Sequence, residues 1–523
     1  MLLTWKKFYF ILIFMFFIIQ IKSNSCACTI MTAGKKATND GSILNCNVSD
    51  SRTTRTWMNR IPHQRYPAGS KCTIYANTKR TVSASDLSAL KPVGEIPQVA
   101  ETYSYLNTAY PAMNEWQLTV TETTFGGPDT LRNKNALFTC EELCRMIMER
   151  AKTAREAIRV IDELTRQYGY NDAGEVLAIA DKKEVWFLEI IGCGQDQIGA
   201  VWAARQVPPD HISVAANGSR ILEIEPKNPD FMFSKNIYEV AEKYGLWSAK
   251  SGIPFRFAYI YGRESRITLS TRRREWRVFD ILAPSLKLDP NGSDFPFSVK
   301  PDSLVTVEQM MKIFRDTFEG TDFDITKNIL VVDKDGKSVK SPYANPFMDY
   351  DMMPLFKVNG GWGKMGERCI ARYYCNYSIV SQIRDWLPDP IGGLVWHGYD
   401  NPAMTIFLPI FNGTNEFPAA YKISGRSGYN QNCAWWAYNR LADLTAQRWG
   451  DMRQDIDSVR TPLMYEIFAK TRLIEMDAVK IYRDNPSKAI QMLTEYTMNW
   501  GERLRKEWWN LGDFLWGKYT GRF

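Results

Sequence analysis

The sequence predicts an α+β fold in which helices stack on paired antiparallel sheets, with additional helices at the C-terminal end. Three observations carry this. Short apolar or alternating runs of strand length occur at residues 176–180, 185–190, 200–204 and 211–216. Leu143, Ile147, Ala151, Ala154, Ile158 and Ile161 recur at helical spacing. From about Thr461 the pattern is helical to the end, with Ala489, Leu493, Tyr496, Trp500, Leu504 and Trp508 on one stripe.

Taken in order, residues 29–33 read as a strand, GKKATNDGS as a turn and 43–47 as the returning strand, with Asn39-Asp40-Gly41 as the hairpin signal. Thr139-x-x-Glu142 reads as a capping box opening a helix. Residues 284–301 read as a loop crossing. Asn485-Pro486 pairs an N-cap with proline at the first helical position. The helical stripe that follows is more often core or interface than a cofactor site. No repeat, low-complexity tract or linker is visible, so residues 28–523 read as one large domain whose helical C-terminal part begins near residue 455.

The N-terminal segment is of another kind. Lys6 and Lys7 precede an apolar run, residues 8–21, that falls short of the ~20 residues a membrane span needs. It fits the apolar region of an export signal, and Ser25 and Ala27 are small residues suited to cleavage before Cys28. The expectation is a signal peptide at 1–27 and a secreted, periplasmic or extracellular product with no stable membrane span after cleavage. An uncleaved anchor, or a lipid anchor on Ser-Cys-Ala-Cys, is the competing reading.

Composition narrows the chemistry. The chain of 523 residues is 45 % hydrophobic and 24 % charged, which is globular. The net charge of +7 falls to +4 without Lys6, Lys7 and Lys22, which gives no case for nucleic acid. The cluster Arg272-Arg273-Arg274 reads as a solvated face. Only His63, His211 and His397 are present, none in a metal-ligand spacing, so no metal or cofactor is expected. Removing 1–27 leaves an odd set of cysteines: one unpaired thiol suits a nucleophile, and buried free thiols explain the count equally well.

A cysteine that becomes the first residue carries its own base. Its α-amine (pKa about 7.7–8) can take the thiol proton (about 8.5) at little cost near neutral pH. Such a site also needs an oxyanion hole and a carboxylate beside the ammonium. Asp50, at the end of the predicted hairpin, is a candidate for that carboxylate, although an aspartate there by itself is more often a loop cap.

Cys28-Thr29, Gly34-Lys35, Asp40-Gly41-Ser42 and Ser49-Asp50 resemble the opening of the bacterial dipeptidase A family. That family is similar to secernins and, more distantly, to bile-salt hydrolases and penicillin V acylases, all N-terminal-nucleophile (Ntn) hydrolases. The resemblance continues through MNEWQLTVTETTFGG (113–127), YGYNDAGEVLAIADKKEVWFLEIIG (168–192), VWAARQVPPDHISVAANGSRI (201–221), SQIRDWLPDPIGGLVW (381–396) and CAWWAYN (433–439). It implies a four-layer αββα sandwich. It also implies Cys28 as nucleophile, Asp50 as holder of its amine, Asn114 and Asn217 as oxyanion donors, and Arg368, with Arg372 nearby, as a basic residue at the site. Relatives often carry a basic residue where this chain has Asn47, so that contact is missing here or supplied elsewhere. Asn217-Gly-Ser is also a glycosylation sequon, and an oxyanion role requires Asn217 to be unmodified.

The function implied is a secreted cysteine-type dipeptidase acting on dipeptides or short peptides, without a cofactor. An Ntn acylase on a non-peptide amide, or a catalytically dead envelope-attached binding protein, are the alternatives. Self-association stays open.

Overall fold

The computed structural model describes residues 28–76, 90–348 and 368–521. The export signal read at 1–27 lies outside the described residues.

The architecture is mixed, with two large antiparallel sheets and helices against both. The first sheet has seven strands, in the order Ser298–Val299, Ile212–Ala215, Thr29–Ala33, Ile43–Asp50, Cys375–Ile383, Leu394–Tyr399 and Leu408–Phe411. The second has eight, in the order Phe231–Phe233, Val201–Val207, Val185–Ile191, Gly174–Ala180, Thr119–Gly126, Met113–Asn114, Tyr105–Asn107 and Asn59–Ile61. The predicted N-terminal hairpin forms with Thr29 opposite Val48 and Ala33 opposite Leu44. Its turn is closed by Asp40, whose Oδ1 accepts from Ser42 N at 3.0 Å and Ser42 Oγ at 2.6 Å, with Gly41 at φ +79°.

The central strands are buried on both faces, so they read as continuous apolar runs rather than alternating ones. Where the sheets meet, their polar residues are satisfied across the interface. Asn45 Nδ2 donates to Thr119 Oγ1 and to Ala178 O, both at 2.9 Å, and Thr121 Oγ1 donates to Asn45 Oδ1 at 2.9 Å. These bonds fix how one sheet lies on the other, because a slip would strand buried amides.

The helical face read across residues 143–161 is two helices, Cys140–Arg150 and Ala154–Tyr168, packed beside the second sheet. Thr139 makes no side-chain cap bond, and the break at 151–153 is held by Thr153, whose hydroxyl accepts from Glu156 N at 3.2 Å. A capping box does form at Thr306 and Gln309, opening Val307–Phe314 against the first sheet. Leu269–Leu282 packs on the same sheet near Ile212–Ala215. At the C-terminal end Trp449–Asp484 and Pro486–Tyr519 run antiparallel, and Asn485 Oδ1 accepts from Lys488 N at 3.0 Å. The stripe Ala489, Leu493, Trp500, Leu504, Trp508 is core, against Leu408–Phe411 and the helix Ala434–Gln447. No helix among the described residues is long and apolar enough to cross a membrane. All nine described cysteines are buried, and no disulfide joins any two of them.

Candidate active site

Three neighbouring strands converge on Cys28. It heads Thr29–Ala33, and continuing the register sets it opposite Asn217 on one side and Ser49, next to Asp50, on the other. Cys28 is fully buried. Its thiol donates to Glu122 Oε1 at 3.3 Å. Its carbonyl oxygen accepts from Thr123 Oγ1 at 3.1 Å and from Arg274 Nη1 at 2.8 Å. Main chain and side chain of this one residue are therefore both fixed.

Asp50 is also fully buried and receives Arg368 Nη1 at 2.6 Å. Burial pushes the Asp50 carboxyl up, and Arg368, Arg274 and Arg372 pull against that shift. Burial alone would lower the Arg368 guanidinium, but the Asp50 carboxylate reverses the sign and raises it. Tyr374 closes this side: burial works to raise its phenol, yet Arg368 and Arg372 hold it below its ordinary value.

Asn217 adopts a left-handed backbone, φ 60°, a conformation that asparagine tolerates and most residues resist. Its N–H donates to Thr123 Oγ1 at 3.1 Å, its Nδ2 to Thr124 O at 2.8 Å, and its Oδ1 accepts from Arg274 Nη2 at 2.9 Å. The sequon asparagine is thus tied into the site by its side chain.

Asn114 is elsewhere. Its Nδ2 donates to Met148 O at 3.0 Å and Ala151 O at 2.8 Å, and its Oδ1 accepts from Trp116 N and Leu118 N at 3.0 and 3.1 Å. Both amide hydrogens are committed to the end of a helix. Asn114 also sits by Thr119, four residues along the strand from Thr123, which is about 13 Å at strand rise. Neither its bonds nor its place brings Asn114 into the Cys28 cluster, where an oxyanion donor was expected.

Two site residues were not foreseen. Glu122 sits mid-strand in Thr119–Gly126, where nothing local marks it. Arg274 belongs to the arginine cluster expected on a solvated face, and that expectation is overturned. Arg273 and Arg274 are buried: Arg273 stacks 3.5 Å over Phe323 and donates to Pro290 O, while Arg272 donates to Asn291 O and Gly292 O. Arg274 spends its planar fork on four acceptors, Cys28 O, Thr29 Oγ1, Ala216 O and Asn217 Oδ1, all between 2.8 and 2.9 Å. Burial, and then neighbouring Arg368, lower it to about 9, so it stays cationic at neutral pH. It supplies a guanidinium at a site where Asn47 brings no charge; Asn47 Nδ2 instead donates to Glu122 O at 3.0 Å.

The histidines take no part in this cluster. His63 lies between Glu101 and Glu115, His211 bonds Ser298, and His397 stacks on Tyr377. Among the described residues no three His, Cys, Asp or Glu side chains are grouped as metal ligands.

The chain is similar to several bacterial proteins. It is 24 % identical over 356 residues to a probable dipeptidase of Latilactobacillus sakei, covering 68 % of this chain and 66 % of that protein. It is 26 % identical over 321 residues to a probable dipeptidase B of Lactococcus lactis, covering 60 % of this chain and 58 % of the relative. A probable dipeptidase A of Streptococcus pyogenes serotype M1 is 21 % identical over 458 residues, covering 86 % of this chain and 88 % of its own length. The chain thus spans somewhat under two thirds of the first two relatives. The pattern of peptidase family C69 matches residues 27–461, from the residue before Cys28 past the last strand of the first sheet, and the chain belongs to that family.

Proposed function

We propose that the chain is a secreted cysteine-type dipeptidase of the Ntn-hydrolase class, built as a four-layer αββα sandwich and active once residues 1–27 are removed. The observation that carries the reading is the fixing of Cys28 by Glu122, Thr123 and Arg274 at the head of a central strand, with Asp50 one residue along on the neighbouring strand. Membership of a peptidase family and the names of the relatives support a peptide substrate.

The mechanism follows from the groups present. Cleavage before Cys28 frees an α-amine, and the Asp50 carboxylate orients it as ammonium. The amine takes the thiol proton, and the thiolate attacks the scissile carbonyl carbon. Asn217 donates to the developing oxyanion. The ammonium returns its proton to the leaving amine as the C–N bond breaks, which leaves a thioester on Cys28. Water, deprotonated by the same amine, then releases the acid and regenerates the thiol. Arg274 keeps the Cys28 carbonyl and the Asn217 amide in register throughout.

The test is hydrolysis of a dipeptide panel and an acyl-amide panel by the mature wild type and Cys28→Ala, alongside the mature N-terminal sequence. The expected result is Cys-Thr-Ile-Met at the N-terminus, dipeptide cleavage, and a loss of at least about 1,000-fold in Cys28→Ala. Cleavage of acyl amides alone would move the chain to the acylase reading. Full activity in Cys28→Ala would sink both.

A further inference from the structure

Cys28 meets opposite charges at its two ends. Its carbonyl oxygen accepts from the Arg274 guanidinium at 2.8 Å, and its thiol donates to the Glu122 carboxylate at 3.3 Å. The guanidinium has a plain use, since it ties Cys28 to Asn217. The carboxylate is harder to place. It fixes the thiol, but its charge opposes the thiolate that must form. In the proposed mechanism Asp50 holds the ammonium of Cys28 itself, so Glu122 is a second carboxylate. Other side chains register the negative charge on the thiol side. The Tyr377 phenol is pushed up by burial first, and then by Glu122 and Cys28. The Cys140 thiol is pushed up by its bond to Cys144 and by burial, and Glu175 and Glu122 add to both. Glu175 lies on the strand beside that of Glu122, its carboxylate accepting from Thr124 Oγ1 at 2.6 Å. The thiol therefore faces a buried, negative neighbourhood, and the group that matches it is a cation with hydrogens to donate.

We infer that Glu122 receives the free α-ammonium of the substrate's first residue. This rests on Cys28 being the nucleophile. In the mature chain the strand ends at Cys28, and the substrate enters beyond that end. In a dipeptide the α-nitrogen is two bonds from the scissile carbonyl carbon, about 2.5 Å away. That carbon meets the sulfur at about 3–3.5 Å before attack. An ammonium bonds a carboxylate oxygen at about 2.8 Å. These lengths close on a carboxylate oxygen 3.3 Å from the same sulfur, as Glu122 Oε1 is. The contact also activates the nucleophile. The seated ammonium offsets the Glu122 charge, and the thiol proton then passes to the Cys28 amine against less opposition. An N-acylated or longer peptide puts a neutral amide in this place and leaves the buried carboxylate uncompensated. The site thus selects an acyl residue with a free α-amine.

The decisive comparison is kcat/KM for the dipeptide cleaved fastest in the panel against its analogue with a methyl group in place of the α-ammonium; for an alanyl dipeptide this is the isobutyryl compound. Both are measured with the mature wild type and with Glu122→Gln. The wild type is expected to prefer the dipeptide by about 100-fold or more, because the analogue leaves the carboxylate unpaired. Glu122→Gln should cut that preference to about tenfold or less. The two substrates should also move apart: the dipeptide slows, while the analogue is cleaved as fast as by the wild type or faster, since the charge opposing the thiolate is gone. A merely structural role would slow both. A measurement without variants stands beside it: alaninol, which carries the ammonium, should inhibit the wild type at least about tenfold more tightly than isobutanol, which does not. Equal cleavage of dipeptide and analogue by the wild type, or a variant that lowers both in proportion, overturns the ammonium site and leaves the peptidase reading intact. Cleavage of no dipeptide in the panel overturns the peptidase reading, and this site with it.

Discussion

A carboxylate 3.3 Å from a thiol favours the S–H and opposes the thiolate, because two anions at that separation repel. Glu122 therefore holds Cys28 in its unreactive form until the proton leaves or a cation intervenes. Replacing Glu122 by Gln keeps an acceptor oxygen and the shape, and removes the charge. Alkylation of Cys28 by iodoacetamide at pH 7 should then be about tenfold faster in mature Glu122→Gln than in the wild type. An unchanged rate would mean that Glu122 does not govern the thiol. Glu122 and Arg274 also mark the limit of what the sequence discloses at this scale. Cys28 stands out in the sequence by following a run that reads as an export signal, and Asp50 by ending the hairpin. A glutamate in a strand and an arginine in a basic triplet carry no such mark: their roles arise from sheet packing that joins residues 94 and 246 positions apart.

Asn114 belongs to the scale of the element. Its amide nitrogen donates to Met148 O in the last turn of Cys140–Arg150 and to Ala151 O just past it, carbonyls of a kind that a helix end leaves unpaired, and its carbonyl oxygen closes its own turn. Asn114→Ala would leave buried donors and acceptors unpaired at about 1–3 kcal/mol each, partly relieved by relaxation. A drop of about 2–4 kcal/mol in unfolding free energy is expected, with kcat on a dipeptide changed less than about threefold. A large loss of kcat at unchanged stability would instead point to the oxyanion role. The same bonds explain why the helix was legible and its end was not. Apolar spacing runs unbroken from Leu143 to Ile161, since both helices bury the same kind of face. The break is written 37 residues upstream, in an asparagine that reads locally as a turn former. The hairpin, the central strands and the Asn485 cap were legible because each is specified by neighbours in sequence.

At the scale of the whole molecule, His397 couples folding to pH. It lies in the first sheet, stacked 5.5 Å from Tyr377 and edge-on at 4.7 Å to Tyr399, and neither ring nitrogen has a hydrogen-bond partner among the described residues. Burial lowers it to about 3. The phenols of Tyr377 and Tyr399 are pushed up by burial, so both stay neutral and neither offsets a charge on the ring. A depressed histidine binds its proton only on unfolding. Its contribution to stability is complete above the unfolded value, about 6.5, and is lost as pH falls toward about 3. Each unit below 6.5 costs about 1.4 kcal/mol, so about 2 kcal/mol should disappear between pH 7.5 and pH 5 through this residue alone. Glu189 acts in the opposite sense. Burial raises it to about 7, so its share is present below the unfolded carboxyl value, about 4.3, and is lost as pH rises through 7. His397→Phe retains the ring stack and removes the titration. Urea unfolding at pH 7.5 and pH 5 should then show a wild-type loss about 2 kcal/mol larger than that of His397→Phe. Equal losses would mean that the acid limb is set by the carboxylates and that the ring is not held neutral by the fold.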